Sequence, residues 1–193
     1  MSYGPARMGF GLFAPEFKQE FSMSTSTVGL VSGTGFAGFF LGLLIAQLLL
    51  DRRGPKVPVL SGLSLATIGL FIVAVSPNVA ILAVGTFLAA SSAGFAWTPF
   101  NDAVHRKVRD VDRPTALSEI STGTSVGITL AGVTAFAMIL LGFQWRICWS
   151  FFAAAGAMAL YANWAALRHV EKSPGPGPDE DWRGLLHPAT VPL

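Results

Sequence analysis

The sequence predicts an all-α fold, a polytopic bundle of membrane-spanning helices. Of its residues, 52% are hydrophobic and 12% are charged, about half the roughly 25% of charge usual in soluble domains. Between Val28 and Leu167 it holds apolar runs of spanning length at 28–50, 57–75, 79–100, 120–143 and 147–167, each without a charge. A hydrocarbon core of roughly 30 Å takes about 20 apolar residues in a helix, and a charge inside it costs several kcal/mol. Helix is the state these runs require, because a lipid-exposed backbone must satisfy its own hydrogen bonds and no alternating barrel-strand pattern is present.

The elements follow in order. Residues 1–21 are expected to hold the remnant of a first transmembrane helix and an outer loop, since Met8 to Ala14 is half a span, behind Arg7, and Glu16 to Glu20 is polar. No small-residue cleavage site follows this stretch, which argues against a signal peptide. Residues 22–170 are expected to form the bundle and 171–193 a polar cytoplasmic tail. The abrupt ends predict a chain that starts inside its first helix and stops where a seventh would begin.

Lysine and arginine counts give the orientation. Arg52, Arg53, Lys56, Arg106, Lys107, Arg109, Arg113, Arg168, Lys172 and Arg183 fall on one side, and Lys18 and Arg146 on the other. Ten against two places the loops after Leu50 and Phe100, and the C-terminus, in the cytoplasm, in what is expected to be the plasma membrane. Trp145 and Trp149 are then expected at the outer membrane interface, with Trp97 and Trp164 at the inner one.

Small residues mark candidate helix contacts. Gly29 and Gly33, and Gly38 and Gly42, stand four apart in the 28–50 run, and Gly123 and Gly127 repeat the spacing at 120–143. Such spacing lets helix backbones approach closely, either as static packing or as surfaces that rock during a transport cycle.

The loop after Leu50 reads Asp51-Arg52-Arg53-Gly54-Pro55-Lys56. A carboxylate at a helix C-terminus faces the negative end of the helix dipole, so Asp51 is expected to need a cationic partner. Here the chain resembles the major facilitator superfamily, whose loop between the second and third helices carries Gly-x-x-x-Asp-Arg-x-Gly-Arg/Lys-Arg/Lys. Asp51, Arg52, Gly54 and Lys56 match; Gln47 stands at the first glycine and Pro55 at a usually basic position. The resemblance implies the N-terminal six-helix half of a secondary transporter working by alternating access. In it Asp51 and its basic neighbours would latch the cytoplasmic gate. It also implies as partners a small-molecule substrate, with protons as one option for coupling, and either a missing C-terminal half or a second copy of this chain.

Polar residues inside the runs are the pathway candidates. Arg7 would fall near mid-membrane if its helix extends upstream, or else in water at the flank. Glu119 opens the 120–143 run, where it could move a proton or simply be wet. Asn101 and Asn163 could line a pathway or bond a neighbouring helix. His105, His169 and His187 stand far apart and form no metal site, and Cys148 can make no intrachain disulfide. No nucleophile elbow, phosphate loop or intramembrane carboxylate pair is present, so neither an enzyme, nor a cofactor, nor a nucleic-acid partner is expected. The competing reading is a membrane scaffold or regulatory module, or an inactive split product.

Overall fold

The computed structural model describes residues 3–54, 56–107 and 109–167. These form helices α1 (Tyr3–Leu12), α2 (Ala14–Glu20), α3 (Thr25–Arg53), α4 (Lys56–Ala74), α5 (Val79–Lys107), α6 (Arg113–Leu140) and α7 (Trp145–Leu167), with no strand among the described residues. By length and apolarity α3, α4 and α6 can each cross a membrane, and the apolar part of α5 runs over Val79–Phe95. The expected tail at 171–193 lies outside the described residues.

The first two helices are one rod with a joint. Phe13 N–H donates to the Gly9 carbonyl at 3.2 Å and Phe17 N–H to the Phe13 carbonyl at 3.0 Å, so the ladder runs through. Pro15 has no N–H to offer Gly11 and its ring crowds that turn, and Phe13 opens to φ −105° and ψ 12°. Residues Glu16 to Glu20, expected as outer loop, are therefore helical. Their polar pattern is overridden by packing: Phe17 is fully buried, stacked on Phe10 at 5.4 Å and edge-on to Trp145 at 4.9 Å.

Short polar connections set the other boundaries. Ser24 caps α3 by accepting from Thr27 N–H at 3.1 Å, and Asn78 caps α5 by accepting from Ile81 N–H at 3.0 Å. Each satisfies an N–H that the first helical turn leaves without a partner. Gly142, at φ 75°, ends α6 in the left-handed region that side chains disfavour.

Helix α5 is the hub, packed against α3 on one flank, α4 on another, and α1. Its run Ala89-Ala90-Ser91-Ser92-Ala93-Gly94-Phe95 is buried throughout, which small side chains permit because neighbours close in from several directions. Along α3, Gly38 faces the Phe87 carbonyl and Gly42 the Ser91 carbonyl, each so near that a Cβ would overlap it. Gly94 answers from α5 against the backbone of Phe39 and Leu43. On the α4 flank, Gly69 meets the backbone of Gly85 and Ala89, and Gly62 the Cβ of Phe95. Helix α4 also packs against α7, where Gly156 lies on Thr67.

The other glycine pairs behave differently. Gly29, Gly33 and Gly123 face open space, with nothing within 4 Å of where a Cβ would stand. Only Gly127 of the α6 pair is buried, and its stripe continues as Ala131 and Ala135. The spacing alone does not say which face meets a neighbour; the position of α5 decides it. Trp145 and Trp149, expected at the lipid interface, are instead 6% and 1% exposed. The α1–α2 rod draws them inward: Trp149 lies 5.9 Å from both Phe13 and Phe17, and Gly9 leaves room for its six-membered ring. Trp97 and Trp164 are about half exposed. Outside, α3 presents Leu30, Phe36, Phe40 and Leu48, a surface suited to hydrocarbon rather than water.

Candidate functional site

Three polar regions interrupt this apolar body. The first is the loop between α3 and α4. Gly54 takes φ 73° and closes α3 by donating its N–H to the Leu50 carbonyl at 2.9 Å. Asp51, Arg52 and Arg53 are exposed and Lys56 is half-buried. The Asp51 carboxylate accepts from the Gln47 side-chain amide at 3.1 Å, one turn back on the same helix, and no ion pair joins it to a cation among the described residues. A neutral amide thus occupies the place where a cation was expected, because the i, i+4 geometry of a helix puts Gln47 directly beneath Asp51.

The second region is one face of α6. Glu119, Pro114, Thr115, Ser118 and Thr122 line an open depression of about 510 Å³. A second, of about 420 Å³, continues from Ser118 and Thr122 along Ser121, Ser125 and Thr129. The hydroxyls of Thr122, Ser125 and Thr129 each donate to the carbonyl four residues back, at 2.9–3.0 Å, leaving their lone pairs directed outward as acceptors. Farther along the same face come Val133, Phe136 and Leu140, all well exposed. The stripe is therefore polar in its first half and apolar in its second. The opposite face, Gly127, Ala131 and Ala135, is buried, consistent with α6 packing on α1.

The third region joins the ends of α2, α4 and α7. Arg146 Nη1 donates to Glu20 Oε1 at 2.6 Å and Nη2 to the Ser76 carbonyl at 2.8 Å, while Trp145 Nε1 donates to Glu20 Oε2 at 3.3 Å. The Arg146 guanidinium also lies 4.2 Å from the Trp145 ring centre. Hydrogen bonds from Arg146 first, and then Trp145, hold the Glu20 carboxyl below the usual carboxylate range. This clasp was missed in the sequence, although opposite charges on the sparsely charged side were its one signal.

The remaining pathway candidates are scattered. Asn163 is exposed and donates to its own helix at the Ala159 carbonyl, 2.9 Å away, so it is spent locally rather than on a neighbour. The side chains of Arg7 and Asn101 lie outside the described residues, although both positions are helical. The loop before α6 is closed on itself by Arg109 with Asp112 at 2.8 Å and Arg113 with Asp110 at 2.7 Å. No group of three metal-ligating side chains occurs among the described residues.

Among curated proteins none matches this chain closely enough to name a relative. The family model of the Major Facilitator Superfamily matches residues 1–192. A helical bundle with several apolar helices, zipped by glycine and carrying the Asp51-Arg52-x-Gly54 loop, agrees with that match over nearly the whole chain, and the protein belongs to the major facilitator superfamily, a family of membrane transporters.

Proposed function

We propose that this chain forms the N-terminal six-helix half of a secondary transporter that moves a small polar solute by alternating access, in the plasma membrane with its C-terminus in the cytoplasm. The observation that carries the reading is the α6 stripe. A row of hydroxyls from Ser118 to Thr129, headed by Glu119, is left uncovered on a helix whose opposite face is packed. Hydrocarbon gives such a row no hydrogen-bonding partner, whereas a water-filled pathway beside a second six-helix unit does. That unit is a C-terminal half or a second copy of this chain. The apolar continuation at Val133, Phe136 and Leu140 is suited to sealing the pathway at its other end. Asp51, Arg52, Gly54 and Lys56 form the cytoplasmic gate loop in this reading, with Asp51 resting on Gln47 when it is not engaged across the gate.

Cysteine accessibility tests it. The native thiol, Cys148, is fully buried, so introduced cysteines report alone. In native membranes, Thr122→Cys and Ser125→Cys are expected to react with a charged maleimide, while Phe40→Cys on the lipid-facing side of α3 is not. Equal refusal by all three removes the aqueous pathway and leaves a membrane scaffold as the function.

A further inference from the structure

Glu119 carries a charge that its own helix does not answer. The positions three and four residues away are Thr115, Ala116, Thr122 and Gly123, so the pairings that a helix offers between neighbouring turns supply no cation. It is the seventh residue of α6, past the first turn in which the positive end of the helix dipole acts. The loop before it cancels its own charge, because Arg109 holds Asp112 and Arg113 holds Asp110. Glu119 itself is exposed and joins no ion pair among the described residues. Acceptors continue from it along the two depressions. Thr122, Ser125 and Thr129 spend their protons on backbone carbonyls, so what they turn outward is lone pairs. Neither depression is lined by a lysine, an arginine or an amide among the described residues, and Val126 and Leu130 give the second one an apolar flank.

We infer that this face of α6 selects a small organic ammonium ion bearing several N–H or O–H donors, with its charge on Glu119 and its other donors along the hydroxyl row. The inference names the solute class for the transport reading, and it rests on that reading for the water that admits the solute. A carboxylate followed by outward lone pairs rewards every donor with an acceptor and the cationic donor most of all. An anion would set oxygen against oxygen and charge against like charge. A bare divalent metal ion fits no better. It gathers about six or more oxygens around one point, whereas this row offers one carboxylate and hydroxyls spread along a helix that rises about 5.4 Å per turn. From Glu119 to Thr129 the rise is about 15 Å, and openings of this volume suit solutes of metabolite size.

Three solutes of nearly one shape and different charge test it: protonated tris(hydroxymethyl)aminomethane, neutral pentaerythritol and the anion of bis(hydroxymethyl)propionic acid. Each is added at neutral pH and matched ionic strength to native membranes carrying Ser125→Cys, and the measurement is how far it slows the reaction of that thiol with uncharged N-ethylmaleimide. The ammonium ion is expected to protect at least about threefold more strongly than the neutral polyol, and the anion least. With Glu119→Gln added, the ammonium ion and the polyol are expected to protect alike, and Glu119→Asp, which keeps the charge, is expected to restore the preference. Equal protection by all three solutes, or a preference for the ammonium ion that survives Glu119→Gln, overturns the ammonium site and leaves the transport reading standing. A Ser125→Cys thiol that never reacts removes the aqueous pathway, and the site with it.

Discussion

Replacing Gly42 by alanine places a methyl group where the Ser91 carbonyl already sits, whereas the same change at Gly29, on the same helix, places it in open space. The obstruction at Gly42 is backbone, not the end of a flexible side chain, so α3 and α5 must separate to admit it. Overpacking of this kind costs about 1–3 kcal/mol, and a contact with backbone belongs at the upper end. Against it stands a gain of at most about 1 kcal/mol from the better helix propensity of alanine. The net expectation is a loss of about 2 kcal/mol for Gly42→Ala and a gain of about 0–1 kcal/mol for Gly29→Ala. A difference of about 2–3 kcal/mol, at roughly 2–4 °C per kcal/mol for a chain of this size, separates the two midpoints by about 4–12 °C. Thermal unfolding of both variants in one detergent, followed by circular dichroism, reads this directly. Equal shifts, or a larger loss at Gly29, refute the assignment of α3's packed face to the Gly38–Gly42 side.

Other changes probe the polar regions. Arg146→Met removes the Glu20 pair, the bond to the Ser76 carbonyl and the ring contact together, so its thermal midpoint is expected to fall further than that of Glu20→Gln. The folded Glu20 carboxyl is depressed below its ordinary value of 4.5; its stabilising contribution is therefore complete above about pH 4.5 and fades as pH drops through the folded value. Melting curves on an acid series should show that loss in the wild type and not in Glu20→Gln. Gln47→Ala frees Asp51 from its only described partner, and under the proposed gating role the thiol reactivity of a cysteine at Arg53 is expected to change in this variant and in Asp51→Asn alike. Asn163→Ala forfeits a bond to its own helix alone and is expected to shift the midpoint by less than about 0.5 kcal/mol equivalent.

The helices were legible because hydropathy is a local property: the runs at 28–50 and 57–75 coincide with α3 and α4 to within a few residues. What sequence could not convey was which neighbour each face meets. Gly29 and Gly42 carry the same spacing signal and differ only in the position of α5. Polar Glu16 to Glu20 looked like a loop because the burial of Phe17 depends on Trp145 and Trp149, more than 120 residues away in the chain. Asp51 asked for a cation on electrostatic grounds, and the helix supplied an amide from Gln47, a residue noticed only as a departure from the family pattern. Gly62, Gly69 and Gly85 were overlooked because none has a glycine four residues away, and only the crossing of α4 over α5 joins them.

Where main chain lies directly on main chain, as it does from α3 through α5 to α4, there is no slack to absorb sliding. A slip of one residue's rise, about 1.5 Å, would drive the side chains beside Gly38, Gly42 and Gly69 into opposing carbonyls. Those three helices must tilt as a single block. Any bending within this bundle then concentrates at the Phe13–Pro15 break, where one rung of the ladder is already missing, and along α6, whose uncovered flank leaves it free to swing.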